Sequence, residues 1–522
     1  MASDGAVNTA REFFGSALYE SNAAHARASL GDVPATDEGL RMLAANGNWS
    51  EVLALARKLD AQVAAKAQWH PTRYATVSLT TPACVTDSIC TATEKGTEAG
   101  QAAHSSSTAA SSSCSSASPG DLGAVAPPLP TDAAVWNARL PYLLVQVTAN
   151  LKMRRIVDAR RIIDGLGDVE GEGFRHPVTG ESFAPFSLRL IAALLPLYSG
   201  VPMVAQKKLY ALLEECLLRE RQCGEALREE HASGSSADNA MNAGAVKRLW
   251  CMWTQRVFRV QRTLLHVHVH TSQQSLARCV IEQALRIDDM WHKTFHLLSD
   301  DLYQLRHALH LQQVVCLALH IGDAQRAGEV HQAIRQMLID LEAPSTPAPE
   351  AVLTNCALLA LIVMSCDAFS AVFRGDFCEA VKLFRDVVAR CGEAKKALMP
   401  EGLTGGSDED LTSAADGTIS ERTLRWWVLQ GICAHAQVSQ VTCMAYCSDT
   451  EPERSMQDMC KTMEDYAKAE PQVLCNSDPF VESIVRLYAL AGERRTNLER
   501  FSDLLEVFRC DRSSLPSLEA LV

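Results

Sequence analysis

No Cys-x-x-Cys pair occurs anywhere in this chain, although it carries 18 cysteines. Closely spaced thiol pairs are what zinc ribbons and dithiol redox motifs need, and scattered single cysteines do not supply them. Cys356, Cys366, Cys378 and Cys391 fall within apolar helical stretches. They read as buried free thiols of a reducing compartment rather than a disulfide frame. No secretory leader is expected, since Met1-Ala2-Ser3-Asp4-Gly5 contains no basic region followed by an apolar core. The longest strongly apolar run, Cys356 to Cys366, is roughly half the length that spans a bilayer and reads as a buried helix. Catalytic signatures are absent too. There is no Gly-x-x-x-x-Gly-Lys-Ser/Thr loop, no Gly-x-Ser-x-Gly elbow and no pair of metal-binding acids in a loop of the right length. No strand-like alternation is sustained. With a net charge of -13 and a pI near 5.6, the chain is not expected to bind nucleic acid generally.

What is present is one short pattern in three copies. These are Gly47-Asn48-Trp49-Ser50-Glu51-Val52-Leu53, Gly322-Asp323-Ala324-Gln325-Arg326-Ala327-Gly328 and Gly375-Asp376-Phe377-Cys378-Glu379-Ala380-Val381. Gly ends one helix because it alone enters positive φ without a Cβ penalty. Asn48, Asp323 or Asp376 caps the next by accepting from its orphan N–H groups. A small or β-branched residue early in that helix, Ala327 or Ala380 in the later copies, lets the two helices approach. The pattern is that of a tetratricopeptide-type hairpin, an architecture whose usual work is holding other proteins.

The rest of the chain extends this reading. Residues 38–69 form a first hairpin with Val52, Leu55, Ala56 and Leu59 on one face. Residues 76–132 are rich in Ser, Thr, Ala and Gly, too poor in apolar surface to offset their ordering entropy, and are expected to be disordered. Order is expected to resume at Trp136. Leu140, Leu143, Leu144, Val147 and Leu151 make one helix face, and Ile156, Ala159, Ile162, Ile163 and Leu166 the next. A Gly/acidic loop follows at 165–182. A helix opening at Phe186 ends near Gly200, and Pro202 sits where the next should start. Residues 229–245 read as a second polar linker, Pro344, Pro347 and Pro349 as a short break, and 400–419 as a Gly/Asp-rich loop. The second and third Gly-Asp turns lie further apart than the tetratricopeptide period of about 34 residues. The expected fold is therefore an all-α superhelix, a tetratricopeptide-like solenoid with irregular repeats and long polar insertions. Its divisions are an N-terminal hairpin region at 1–75, the insert at 76–132 and the solenoid proper at 133–522.

The segment Pro185-Phe186-Ser187-Leu188-Arg189-Leu190-Ile191, continuing to Leu197-Tyr198-Ser199-Gly200-Val201-Pro202, resembles a Pro-Phe-Ser-x-Arg-aliphatic helix that ends in a Tyr-x-Gly-x-Pro turn. Leu40 to Leu59, Arg248-Leu249-Trp250, Leu317 to Ala327, Phe369 to Phe384 and Phe480 to Tyr488 fit the same template in the same order. Together they resemble subunit 12 of the trafficking protein particle (TRAPP) complex, collinearly over about residues 38–510 outside the linkers. Arg154-Arg155 departs from the template where a Gly turn is expected, and the Ser-rich insert is this chain's own. The resemblance implies a non-enzymatic scaffold subunit, without cofactor or metal. Its complex tethers vesicles between the endoplasmic reticulum and Golgi and acts in autophagy. The implied partners are the other subunits, with an indirect link to a Rab-type GTPase whose nucleotide exchange the small core subunits promote. The implied location is cytoplasmic, peripheral to Golgi and ER-Golgi membranes through the complex. The alternative reading is a stand-alone peptide-binding adaptor, which would need a concave groove with clustered Lys, Arg or Asn.

Several residues invite sharper readings. His266-x-His268-x-His270 and His292-x-x-x-His296 suggest a metal, but neither has a zinc-peptidase Glu or a Cys pair nearby, so no metal is expected. Lys152, Arg154, Arg155, Arg160 and Arg161 form a dense basic cluster diluted by Asp158 and the acidic loop, and read as a solvated face. Trp426-Trp427 reads as core, Glu393-Ala394-Lys395-Lys396 as surface charge, and Ser407 before Asp408-Glu409-Asp410 as a candidate phosphorylation site.

Overall fold

A computed structural model describes residues 31, 33–45, 47–66, 131–176, 180–232, 237–295, 301–342, 350–398, 421–447, 452–470, 473–491 and single positions between 495 and 505. The expected disorder of the insert, the proline break and the 400–419 loop fall outside these residues, apart from the insert's last two positions. Helices account for nearly all that is described. They are α1 (Asp37–Ala45), α2 (Trp49–Lys66), α3 (Thr131–Lys152), α4 (Ile156–Leu166), α5 (Phe186–Tyr198), α6 (Pro202–Ala232), α7 (Ala237–His270) and α8 (Gln274–Phe295). There follow α9 (Asp301–His320), α10 (Ala324–Glu342), α11 (Glu350–Phe373), α12 (Phe377–Leu398), α13 (Glu421–Met444), α14 (Pro452–Ala469), α15 (Val473–Asn476) and α16 (Asp478–Leu490). No strand forms among the described residues; one isolated antiparallel bridge joins Arg175 to Ser182.

The hairpins share one turn, and the glycines explain it. Gly322 has φ +79°, its N–H bonds to the Leu319 carbonyl, and the Asp323 N–H reaches back to Ala318. Gly375 (φ +80°) repeats this with Val372 and Ala371, and Gly47 (φ +71°) with Ala44 and Leu43. These are the paired bonds of a Schellman C-cap. The carboxylates of Asp323 and Asp376 each accept from the backbone N–H three residues on, at 3.2 Å. The same turn recurs at Gly200 (φ +78°), which the sequence placed only as a helix end, and at two residues that are not glycine. Arg154 and Ser272, both at φ +58°, make the same bond pair. Arg154 thus occupies the expected Gly position in the left-handed region instead of abolishing the turn.

A second regularity follows each turn. The residue five places after the positive-φ position is Val52, Ala159, Ala205, Ala277, Ala327 or Ala380, and every one is buried. A small side chain there admits the backbone of the facing helix. Four places further lie Ala56, Ile163, Leu209, Ile281, His331 and Phe384, all buried on the same helical face.

Packing is sequential. Neighbours in the chain are neighbours in space, and alternate helices also stack: α5 meets α7, α7 meets α9, α9 meets α11, and α11 meets α13. The arrangement is compatible with an α-α superhelix. One core runs from Phe186 on α5 to Val485 on α16, with Leu209, Trp250, Leu265, Leu311, Ile362, Phe384 and Phe480 along it. A second, holding Leu140, Ile163, Phe174 and Leu188, joins α3 to α5, and a third joins α1 and α2 to α3 through Leu43, Leu55, Ala149 and Met153.

Four expectations change. Most of the polar linker at 229–245 is helix, because α6 runs to Ala232 and α7 starts at Ala237. Ala237, Ala240, Met241, Ala243 and Ala245 favour helix and outweigh the weaker formers Asp238, Asn239, Asn242 and Gly244 in that stretch. Helix α3 begins at Thr131, ahead of Trp136. Cys366 and Cys391 are buried, but Cys356 is only partly so and Cys378 is exposed on α12; these four are free thiols. The apolar segment is also longer than the sequence run suggested, since Leu353–Phe373 is long and apolar enough to cross a membrane. Here it packs within the core, with Leu358, Leu359, Ile362 and Cys366 buried between its neighbours.

Candidate interaction surfaces

Among the described residues, exposed large apolar side chains are most closely grouped where α5 turns into α6. Val201 and Val204 are about half exposed, Tyr198 is 51% exposed and Met203 64%, all within seven residues. On the neighbouring α4, Val157 is also 64% exposed, and Arg160 of that helix donates to Ser199 Oγ at 3.1 Å. The cause is the turn itself. Gly200 and Pro202 fix where one helix stops and the next starts, so the intervening side chains project outward. Along α6 the apolar surface continues through Tyr210 and Leu218. There a groove of about 670 Å³ opens, lined by Lys207, Tyr210, Glu214, Leu217, Leu218, Arg221 and Gln283 of α8.

One wall of that groove is held by a hydrogen-bond chain. Tyr210 Oη lies 2.8 Å from His268 Nε2, His268 Nδ1 lies 3.0 Å from Gln273 Oε1, and Gln206 Nε2 donates to the same oxygen at 2.6 Å. Since Gln273 Oε1 is the acceptor, His268 donates from Nδ1 and accepts the Tyr210 hydroxyl proton at Nε2. Burial depresses the His268 pKa, while the Gln273 bond opposes it, which keeps the ring neutral near pH 7. The three-histidine motif is split between two faces of its helix. On helix α7 His268 turns inward to this chain, while His266 and His270 stack on the exposed face with ring centroids 6.3 Å apart. Among the described residues no group of three or more His, Cys, Asp or Glu is placed to hold a metal ion. The His292/His296 side chains and the Ser407 run lie outside what is described.

The acidic loop has an anchor that its sequence does not advertise. Arg189 of α5, 3% exposed, grips two carboxylates at once. Nε donates to Glu170 Oε1 at 2.7 Å, and Nη2 donates to Glu215 Oε2 of α6 at 2.6 Å. Burial alone would lower the guanidinium's pKa, but the bonds to Glu170 and Glu215 raise it. Burial pushes Glu215 upward, and Arg189 more than reverses this, so its carboxyl titrates below the usual range. The loop is thereby pinned across the start of α5. A similar contact locks α6 to α7. Trp250 Nε1 donates to Glu220 Oε1 at 2.7 Å, and Gly224 lies close enough that a Cβ there would sit 3.2 Å from Trp250 Nε1.

The remaining candidates are structural surface. In the basic cluster, Lys152 covers the Trp49 ring, Arg154 reaches Asp478 at 3.1 Å, Arg160 pairs with Asp164 and Arg161 with Asp158. Lys395 is held by Glu470 of the segment after α14. Trp426 packs partly buried against the core. The repeat-turn residues Gly47, Asn48, Gly322, Asp323, Ala327, Gly375, Asp376 and Ala380 set the hairpins and do not converge on a site. Compared with known proteins, no family model, no curated protein and no solved structure matches this chain.

Proposed function

We propose that this chain is a tetratricopeptide-like scaffold subunit of a vesicle-tethering complex of the TRAPP kind, acting by surface display rather than by chemistry. The observation that carries the reading is the apolar ridge of Tyr198, Val201, Met203 and Val204. Large apolar side chains contiguous on a surface mark protein contacts, and they sit here beside the segment on which the family resemblance is densest. The Ala380-x-x-x-Phe384 spacing after the Gly375 turn is that of a tetratricopeptide second helix and supports the repeat type. Stacked hairpins give such a subunit a long surface on which several neighbours can sit at fixed spacing. On this reading the subunit reaches Golgi and ER-Golgi membranes, and a Rab-type GTPase, only through its neighbours.

The test is affinity purification of the tagged full chain from its own cells at low salt, with identification of co-purifying chains by mass spectrometry. A stoichiometric set of small tethering subunits supports the proposal. Recovery of the chain alone, or with a chaperone only, contradicts it.

A further inference from the structure

Between Asp238 and Glu282 the chain contains no acidic residue, in a protein of net charge -13. Helix α7 occupies most of that stretch, and the neighbouring α5 is also free of Asp and Glu. Arg248, Gln255, Arg259, Arg262 and His266 recur at intervals of three, four and seven, so they form one stripe along α7. Arg248, Arg262 and His266 are exposed, and Gln255 and Arg259 are partly buried.

Two arginines of this face, Arg259 and Arg256 at its edge, are held by groups other than carboxylates. The Arg256 guanidinium lies 4.3 Å from the Trp253 ring centroid and 5.1 Å from that of Phe186. Arg259 lies 5.3 Å from the Phe186 ring and donates to Ser187 Oγ at 3.0 Å. Arg306 of α9 donates to Gln255 Oε1 of the stripe at 3.1 Å. Among the described residues none of Arg248, Arg256, Arg259 and Arg262 has an ion pair. The Glu170 and Glu215 carboxylates nearby are already taken by Arg189. Burial is the largest influence on Arg256, Arg259 and Arg262 and lowers the pKa of each; at Arg256 the Glu181 carboxylate offsets it only in part.

Arg139 and Arg189, by contrast, each pair with a carboxylate. Guanidiniums fixed by aromatic rings and a hydroxyl are pre-oriented for bidentate capture of carboxylates, which removes their desolvation penalty. We propose that this acid-free face of α7 docks an acidic segment of a partner protein. From Arg248 to Arg262 the helix rises about 21 Å, the reach of about six extended residues. A short peptide sits within the stripe's own field, whereas an extended polyanion or an anionic bilayer would also meet the negative remainder of the surface. The inference deepens the partner-binding reading above but does not depend on which assembly is involved.

The test uses the full chain and a fluorescein-labelled 12-residue peptide alternating Glu with Ser, followed by fluorescence anisotropy at low and moderate salt. The expected result is saturable one-to-one binding that weakens with salt and is lost when Gln replaces Glu in the peptide. Binding should fall at least about tenfold in an Arg259→Gln/Arg262→Gln variant and stay unchanged in Arg390→Gln on α12. Both substitutions keep exposed or half-exposed positions polar, and an unchanged melting curve shows that the fold survives. Equal binding by the Arg259→Gln/Arg262→Gln variant, or by the Gln peptide, overturns the inference. So does tighter binding to vesicles containing phosphatidylserine or to single-stranded RNA. If the peptide fails while the tagged chain still recovers its assembly, this inference falls and the scaffold reading stands.

Discussion

Arg139 of α3 donates two hydrogen bonds to the carboxylate of Asp60 on α2, Nε to Oδ1 at 2.7 Å and Nη2 to Oδ2 at 3.1 Å. Both side chains are only 13% exposed, and the pair closes the small core of α1, α2 and α3. The N-terminal hairpin is thus docked on the helix that follows the Ser-rich insert. A specific protease site placed within Ser105–Ser113 should yield two pieces that co-elute in size-exclusion chromatography. Arg139→Met should loosen them by about 2 kcal/mol, since a charge-assisted bidentate pair is lost and Asp60 is left partly buried. Separation of the wild-type pieces without denaturant would show that the docking is weak.

Ser272 and Arg154 hold φ +58° without being glycine. Left-handed backbone costs an L-residue about 1–2 kcal/mol, partly offset by the unfolded-state freedom that glycine adds. Ser272→Gly is therefore expected to raise stability by about 0.5–1 kcal/mol. At Gly375 (φ +80°) the reverse change to Ala is expected to lower stability by about 1 kcal/mol, although no atom lies within 4 Å of the added Cβ. Urea titration of both variants tests the pair, and the same sign for both would contradict the shared-turn account.

Ala380 is fully buried beneath the facing helix, as Ala327 nearly is. Ala380→Leu should cost about 1–3 kcal/mol by overpacking, whereas a comparable change at exposed Cys378 on the same helix should be near neutral. Thermal melts of the two variants give the comparison.

The Arg189 grip predicts a pH dependence. The Glu215 carboxyl titrates below its unfolded value, so its contribution is complete above about pH 5 and is lost as pH falls through the folded pKa. Arg189→Met should cost about 2–3 kcal/mol at pH 7, less than for a fully buried pair because Glu170 keeps some water. The variant should also lose part of the wild type's decline below pH 5. Parallel stability profiles from pH 7 to pH 3 would show instead that the grip is energetically silent.

Much of this architecture is legible from local chemistry. Gly-Asx followed by a small residue marks the turns at Gly47, Gly322 and Gly375, because the backbone there demands glycine and a cap. The turns at Arg154 and Ser272 escape such a reading, since their residues adopt the left-handed region against preference and only the buried Ala159 and Ala277 betray them. The 229–245 stretch looks like a linker by its Ser and Gly, while its alanines sustain helix from both sides. Interaction surfaces are harder still. Arg189 meets carboxylates far from it in sequence, and no local pattern encodes that meeting. The ridge at Tyr198–Val204 appears as ordinary apolar residues until the fold shows that no described residue covers them.

The measurement that bears most directly on the central claim compares two tagged full-length chains purified side by side from their own cells, wild type and Val201→Asp/Met203→Asp. Both positions are exposed, so the variant should melt at the wild-type temperature. The account predicts that the wild type recovers a stoichiometric set of small tethering subunits and that the variant recovers the chain without them. The same companions in equal yield from both would remove the apolar ridge as the scaffold's contact, and no companions from either would contradict the scaffold function itself.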